Sequence, residues 1–139
     1  MAETAYTNYA RQALPRTGSG FSRTNNVVTN VSQITFPKAG ATGSAANITK
    51  IAIYSALTGG TKLHEQTLAD AFAVNANVTQ PVIEAGELSI TGGADTRSDD
   101  NIQEILDLVY LNQAFAGIGD AGGLLPSVAA GNLYVALIE

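Results

Sequence analysis

Leu133-Tyr134-Val135-Ala136-Leu137-Ile138 decides the fold, and it lies one residue before Glu139, the last residue of the sequence. Its aliphatic and aromatic residues favour a β-strand, and both alternating sides of that strand are apolar, so we predict a strand buried on both faces. The segment Tyr9–Leu14 is a strand candidate near the other end. Because chain ends normally trail into solvent, core strands this close to both ends predict that the two ends lie close together.

The region before residue 92 consists of short β-favouring runs separated by turn signals. Asn25-Asn26 and Gly59-Gly60 are predicted hairpin tips, because tight hairpins need residues that tolerate positive φ. Several short strands with turns between them are typical of an antiparallel sandwich or barrel. The predicted fold class is therefore mainly β, an antiparallel β-sandwich or a partly open barrel. The strands are expected at Thr7–Leu14, within Phe21–Phe36, and at Asn47–Leu57, Lys62–Leu68, Val74–Val78, Gln80–Glu84 and Glu87–Thr91.

One α-helix is predicted over about residues 99–116. Asp100 is the expected N-cap, with Gln103 at the capping-box position three residues later. Gly117 is the expected stop. The apolar residues at helical spacing are Ile102, Ile105, Leu106 and Val109.

The length of 139 residues suits a single β domain over residues 1–139. Residues 92–98 are polar and rich in glycine, and we interpret them as a linker. The chain has no cysteine, which excludes disulfides, thiol chemistry and thiolate metal sites. No run of about twenty apolar residues is present, so no membrane partner is expected, and the first residues lack the basic and apolar regions of a signal peptide.

Charged residues make up only 14% of the chain and the net charge is -5. An acidic balance predicts no nucleic-acid partner. A surface with so few charges is poorly suited to a freely diffusing monomer, so we expect an obligate or near-obligate assembly with the chain's own copies.

Candidate catalytic and ligand-binding patterns are better explained as ordinary surface features. Gly117-Ile118-Gly119-Asp120-Ala121-Gly122 spells a dinucleotide motif, but it follows a helix and precedes a strand, which inverts the required order. His64 is the only histidine, and no serine nucleophile motif or third group accompanies it. We interpret the motif as a loop and His64 as a strand residue at the surface.

Acidic residues offer two further patterns. Asp95, Asp99 and Asp100 lack the spacing of a calcium loop and are interpreted as linker and helix start. Glu84 and Glu87 flank a turn and resemble a glycosidase pair, but they are expected to form its polar rim. No catalytic residue, cofactor site or metal site is therefore predicted, and the chain is expected not to be an enzyme.

Arginine and tyrosine near the beginning of the chain suggest an interface. Both residue types are favoured at protein–protein contacts. The three arginines in this region, Arg11, Arg16 and Arg23, are too few for a nucleic-acid site. The interface candidates are Tyr6, Tyr9, Arg11, Phe21 and Arg23.

The order of motifs resembles a known family when the two ends are imagined joined. The helix then leads to Leu133–Leu137 and to Tyr9–Arg11, and these are followed by the remaining strands. The list of later motifs is Ile34-Thr35-Phe36-Pro37, Ile51-Ala52-Ile53-Tyr54-Ser55-Ala56, the Gly59-Gly60 hairpin with Leu63, Val74-Asn75-Ala76 and Glu84-Ala85-Gly86-Glu87-Leu88-Ser89-Ile90. Over nearly the whole chain this resembles small tail-fibre-like or capsid-decoration structural proteins of tailed bacteriophages.

The resemblance implies a virion protein, assembled in the bacterial cytoplasm, that binds the particle or its own copies without a cofactor or enzymatic activity. Other phage virion proteins are the implied further partners. Members of the family begin with the helix and end near Ile90, so the chain is predicted to be a circular permutant, natural or engineered as an assembling subunit, whose original ends join through residues 92–98. The alternative is a carbohydrate- or receptor-binding module with Tyr54, Tyr110 or Tyr134 as an aromatic platform.

Overall fold

The computed structural model describes residues 2–93, 98–116 and 123–139, and they form two compact units. The first unit comprises Met1–Leu14, Gln33–Glu84 and Leu133–Glu139, and the second comprises Pro15–Ser32 and Ala85–Asn132. The elements in chain order are β1 (Gln12–Pro15), β2 (Phe21–Thr24), β3 (Val27–Asn30), β4 (Ile34–Thr35), β5 (Ile48–Tyr54), β6 (Lys62–Phe72), β7 (Val82–Ile83), β8 (Ser89–Thr91), α1 (Asp99–Tyr110) and β9 (Asn132–Ile138).

The first unit is organised by a four-stranded sheet in the order β1-β9-β5-β6. β5 pairs antiparallel with both β9 and β6. All but the first residue and Tyr134 of β9 are buried, which confirms the predicted strand with two apolar faces. Ile51 and Ile53 point to one face of the sheet and Lys50, Ala52 and Tyr54 to the other, because side chains alternate along a strand. β4 and β7 form a separate two-stranded sheet.

The second unit contains the three-stranded antiparallel sheet β2-β3-β8 and the helix α1. Thr24 pairs with Val27, so Asn25-Asn26 is the two-residue tip that the sequence predicts. Asn25 has a φ of 51°, a conformation that asparagine tolerates better than most residues. The fold class is confirmed as mainly β with antiparallel sheets and one helix, and the sheets of the described residues do not close into a barrel.

The helix differs from its prediction at both ends. Its N-cap is Ser98, whose hydroxyl accepts from the backbone N–H of Asn101, so the prediction of Asp100 is wrong and Asp100 lies inside the first turn. The helix ends at Tyr110 and not near residue 116, because Asn112 has a φ of 52° and leaves the helical conformation. The predicted stop, Gly117, lies outside the described residues.

Two strand predictions differ from the structure more than the others do. The strand predicted over Thr7–Leu14 begins only at Gln12, because Asn8 has a φ of 76° and Tyr9 N–H donates back to the Tyr6 carbonyl. The strand predicted over Val74–Val78 is a turn, in which the N–H groups of residues 78 and 79 both donate to the Asn75 carbonyl.

The beginning and the end of the chain are hydrogen-bonded to each other. Glu139 N–H donates to the Ala2 carbonyl, and Thr4 N–H donates to the Leu137 carbonyl, each at 3.0 Å. The predicted proximity of the two ends is confirmed. The single domain over residues 1–139 stays a prediction, and residues 94–97 of the proposed linker 92–98 lie outside the described residues.

Candidate functional site

Four side chains of the first unit, Glu3, Tyr9, Arg11 and Tyr54, form what we call the Arg11 cluster. Glu3 is placed by an isolated antiparallel bridge to Ile138 of β9. Arg11 immediately precedes β1, and Tyr54 ends β5. The cluster therefore lies where the first residues of the chain meet the face of the four-stranded sheet that carries Tyr54 and the buried Ala52, Ala136 and Ile138.

Arg11 is almost fully engaged by its neighbours. Its Nε donates to both Glu3 carboxylate oxygens (2.9 and 3.1 Å), and its Nη2 donates to Glu3 Oε2 at 2.7 Å. Its Nη1 donates to two backbone carbonyls, those of Ala56 at 2.7 Å and Gly59 at 2.8 Å. The guanidinium also lies 3.8 Å from the centre of the Tyr54 ring. The planar fork of arginine suits this combination of carboxylate, carbonyl and aromatic contacts.

Tyr9 connects Glu3 to the core strand. Its hydroxyl donates to Glu3 Oε1 at 2.6 Å and accepts from the N–H of Leu137 at 3.1 Å. Its ring stacks on Phe36 and meets Tyr6 edge-on, with centroids 6.3 and 5.3 Å apart. Burial, reinforced by the bond to Glu3, raises the pKa of Tyr9 well above its ordinary value.

The charges in the cluster hold each other in the ionised state. Burial alone would raise the pKa of Glu3, but the hydrogen bonds from Arg11 and Tyr9 outweigh it and the pKa is lowered. The bond to Glu3 raises the pKa of Arg11. Glu3 accepts four hydrogen bonds, so its carboxylate is engaged on both oxygens and is a poor general base.

A surface cleft of about 380 Å³ borders the cluster. Its polar wall consists of Glu3, Tyr9 and Arg11, whose donors and acceptors already bond within the fold. The cluster therefore fastens residues 2–11 to the sheet and does not present groups to a ligand. The lining residues are Glu3, Tyr9, Ala10, Arg11, Leu57, Thr58 and Gly59.

The remaining interface candidates also make internal contacts. Tyr6 is buried and donates to the Pro37 carbonyl at 2.8 Å, and burial raises its pKa to about 12. In the second unit Phe21 is fully buried, edge-on to Tyr110. Arg23 donates to both carboxylate oxygens of Asp107 and to Gln103.

These placements bear on the predicted interface. The side chains of Tyr6 and Phe21 lie inside the fold, so contact with a partner would require them to leave it. Arg11 is 8% exposed and Arg23 is 23% exposed. The interface role of Tyr6, Tyr9, Arg11, Phe21 and Arg23 stays a prediction.

Two important residues are not among the interface candidates that the sequence predicts. Glu3 lies eight residues before Arg11 and is its carboxylate partner, and Arg16 is noted in the sequence only as one of three arginines near the beginning of the chain. Arg16, in the second unit, donates to the carbonyls of Val109 at 2.7 Å and Leu108 at 2.8 Å, in the last turn of α1, and to that of Ala130 at 3.2 Å. No basic residue of the helix itself lies in that turn, so Arg16 supplies the positive charge that a helix C-terminus favours.

The weaker chemical candidates, His64 and Glu84, lie in the first unit. His64 lies half-buried on β6 opposite Ile53. Glu84 is exposed and accepts from the Gln33 amide. Among the described residues no group of three or more His, Cys, Asp or Glu side chains is arranged to hold a metal ion. Asp95 and the motif over residues 117–122 lie outside the described residues.

The proposed aromatic platform is not assembled by the three tyrosines. Tyr110 is buried against Phe21 in the second unit, so it does not offer the exposed ring that an aromatic platform requires. Tyr54 is half-buried beneath Arg11, and Tyr134 pairs with it across β5 and β9. One face of the Tyr54 ring is therefore occupied by a guanidinium.

Comparison with known proteins supplies the family. The family model of the podophage GP4 fiber I protein gp80 matches residues 1–91. The chain belongs to this family. No curated protein and no solved structure matches it. All four residues of the Arg11 cluster lie within the part matched by the fiber I family, whereas α1 and β9 lie outside it.

Membership in the fiber I family confirms the resemblance to tail-fibre-like structural proteins of tailed phages. The family is one of structural tail fibre proteins, which suggests a structural component of the virion and is consistent with the expectation that the chain is not an enzyme. The match does not show a circular permutation, which stays a prediction. In the described part of the chain, no helix has both the length and the apolar character required to cross a membrane.

Proposed function

We propose that the chain is a subunit of a phage tail fibre that associates with its own copies and with other virion proteins and catalyses no reaction. Within the virion we place it in the tail and not on the capsid surface, because the matching family is named for a fibre protein. Its assembly is proposed to take place in the bacterial cytoplasm, before the particle is released.

The observation that carries this proposal is the match of the fiber I family over residues 1–91. The saturation of the Arg11 cluster agrees with it, because Glu3, Tyr9 and Arg11 line the cleft and their polar atoms are used to fasten the chain. A network of this kind stabilises one conformation. This favours a scaffold that presents a fixed surface.

Self-association is supported by the composition of the surface. Charged residues form 14% of the chain, and several large aliphatic side chains are well exposed. A sparsely charged surface favours association with another protein. The exposed aliphatic residues are Val31, Leu57, Leu63, Val78, Val82, Leu124, Leu125 and Val128.

The proposal is tested by the mass of the protein in solution and by its place in the virion. Light scattering after size exclusion, repeated over a range of concentrations, is expected to show a defined oligomer. A monomer at every concentration would contradict self-association. Immunogold labelling of intact virions is expected to mark the tail, and labelling spread over the head would instead support capsid decoration.

A further inference from the structure

We propose that residues 123–128 of the second unit form a surface through which copies of the chain meet. The side chains of Leu124, Leu125 and Val128 provide the contact, and its occupant is the same segment of another copy. The inference rests on the proposed self-association and names the surface that carries it. The segment lies outside the part of the chain that the fiber I family matches.

The segment is fixed by two pairs of hydrogen bonds to the residues that follow α1. Phe115 and Leu124 form an antiparallel bridge and exchange both backbone bonds, at 2.9 and 3.1 Å. The Asn112 side chain accepts from the Ser127 N–H and donates to the Ser127 carbonyl, each at 2.9 Å. Phe115 is buried, which anchors the pairing in the second unit. A segment that is already held in place loses less conformational freedom when it binds a partner.

The large apolar side chains of this segment are exposed to solvent. Leu124 is 49% exposed, Leu125 is 73% exposed and Val128 is fully exposed. The other exposed aliphatic residues of the described chain are spread over residues 31–82. Exposed apolar side chains are ordinary when they are scattered, whereas a group of them favours a contact with another protein.

The absence of charge from this surface argues for a second copy as its occupant. The chain has a net charge of -5, so surfaces that carry its acidic residues repel the same surfaces of another copy. Residues 111–116 and 123–131 contain no Asp, Glu, Lys, Arg or His. Asp120, the one charged residue between them, lies outside the described residues.

An uncharged apolar segment is complementary to itself. Two copies of residues 123–128 meet without opposing like charges, and a symmetry axis beside the segment brings the same apolar side chains of each copy together. A charged partner would find no opposite charge among the described residues of this surface. The electrostatics therefore favour a contact between identical segments.

Two substitutions at positions of similar exposure test this surface. Leu125→Asp places a charge in the proposed contact, once from each copy, and we expect the concentration that half-dissociates the oligomer to rise about a hundredfold. Val78→Asp is the matched control, because Val78 is 70% exposed and lies in the first unit, and it is expected to leave that concentration unchanged. Analytical ultracentrifugation over a dilution series measures both, and circular dichroism checks that both variants are folded.

Thiol labelling gives a second measurement that introduces no charge. The native chain has no cysteine, so Val128→Cys carries a single thiol at a fully exposed position. Its reaction with a maleimide is expected to be slower in the concentrated, associated protein than in dilute protein. Val78→Cys is expected to react at the same rate in both. Equal rates for Val128→Cys at the two concentrations would contradict the proposed contact.

The outcomes separate this inference from the proposed function. Weaker association of Leu125→Asp, with Val78→Asp unchanged, supports the contact through residues 123–128. If the wild-type protein is oligomeric but Leu125→Asp has no effect, or both variants weaken it equally, this contact is wrong and self-association stands. A wild-type monomer at every concentration contradicts both and would point to another virion protein as the occupant of the segment.

Discussion

Arg11 and Lys62 are two cations of the same unit with very different surroundings. Arg11 is 8% exposed and bonds a carboxylate, two carbonyls and an aromatic ring. Lys62 is 47% exposed and pairs with the Glu65 carboxylate, which Lys50 also contacts. Arg11 is thus built into the fold, whereas Lys62 remains a surface charge on an edge strand.

The difference shows that the contribution of a charged side chain to stability depends on which partners lose a hydrogen bond when it is removed. Without Arg11, the partly buried Glu3 carboxylate would keep only the hydrogen bond from Tyr9, and two backbone carbonyls would lose the Arg11 donor, which is costly. Without Lys62, Glu65 keeps Lys50 and gains water. We therefore expect stability to follow the number and burial of the orphaned partners, and not the number of ion pairs.

The largest effect is expected at Arg11. Arg11→Met keeps much of the side-chain volume but removes every donor, so the free energy of unfolding should fall by about 3 kcal/mol. Urea denaturation followed by circular dichroism would measure it. Arg11→Lys is the matched control for charge, and it should recover only part of the loss because an ammonium cannot bond in a bidentate fork. Full recovery by lysine would show that charge alone matters.

A smaller effect is expected at Arg16, which donates to three backbone carbonyls. Arg16→Met should lower the free energy of unfolding by about 1–2 kcal/mol, because the last turn of α1 loses its donors and its compensating charge. The change is measured by thermal unfolding at the helical signal. An effect as large as that of Arg11→Met would mean that an engaged carboxylate is not what makes Arg11 important.

Loss of an uncharged hydrogen bond, the N-cap of α1, should lower the free energy of unfolding by less than loss of either arginine. Ser98→Ala removes the hydroxyl that caps α1 and should cost about 1 kcal/mol. Asp100→Ala, in the first turn, removes only a favourable charge near the helix dipole and should cost about 0.3 kcal/mol. Urea denaturation of both variants measures the two losses. A larger loss for Asp100→Ala than for Ser98→Ala would indicate that Asp100, and not Ser98, caps the helix.

Local patterns in the sequence predicted the elements whose cause is local. A continuous apolar run located β9, β-favouring residues before a turn located β5, the pair Asn25-Asn26 marked a hairpin tip, and Ile102 with Leu106 marked the buried side of α1. The helix end was misplaced because Asn112 stops it with a positive φ. Asparagine adopts positive φ less often than glycine does, so it is a weaker sequence signal for the end of a helix.

The Arg11 cluster could not be read from the sequence because its bonds join distant residues. Arg11 reaches Ala56 and Gly59 through their carbonyls, and a carbonyl is present at every position of a chain. Tyr9 is connected to Leu137 in the same way. The prediction of Arg11 as an interface anchor used its residue type, whereas its surroundings depend on how the first residues lie against β5 and β9.

The smallest effect on stability is expected from the ion pair between Lys62 and Glu65 on β6. This effect should depend on pH. Hydrogen bonds from Lys50 and then Lys62 lower the pKa of Glu65 from its usual 4.5 to about 2. Because the pKa is lower in the folded state, the stabilisation is complete above pH 4.5 and is lost as the pH falls towards 2. Glu65→Gln should therefore change the melting temperature slightly at neutral pH and not at all at the acid end of that window.

Salt distinguishes this pair from the Arg11 cluster. Exposed ion pairs are screened by salt, and buried ones are screened much less. The difference in melting temperature between the wild-type protein and Glu65→Gln should therefore shrink in high sodium chloride, while the difference for Arg11→Met should persist. If both differences shrink alike, the Arg11 cluster is open to solvent ions and the contrast between the two cations fails. If neither shrinks, Glu65 acts through its packing on β6, and its charge is not what contributes.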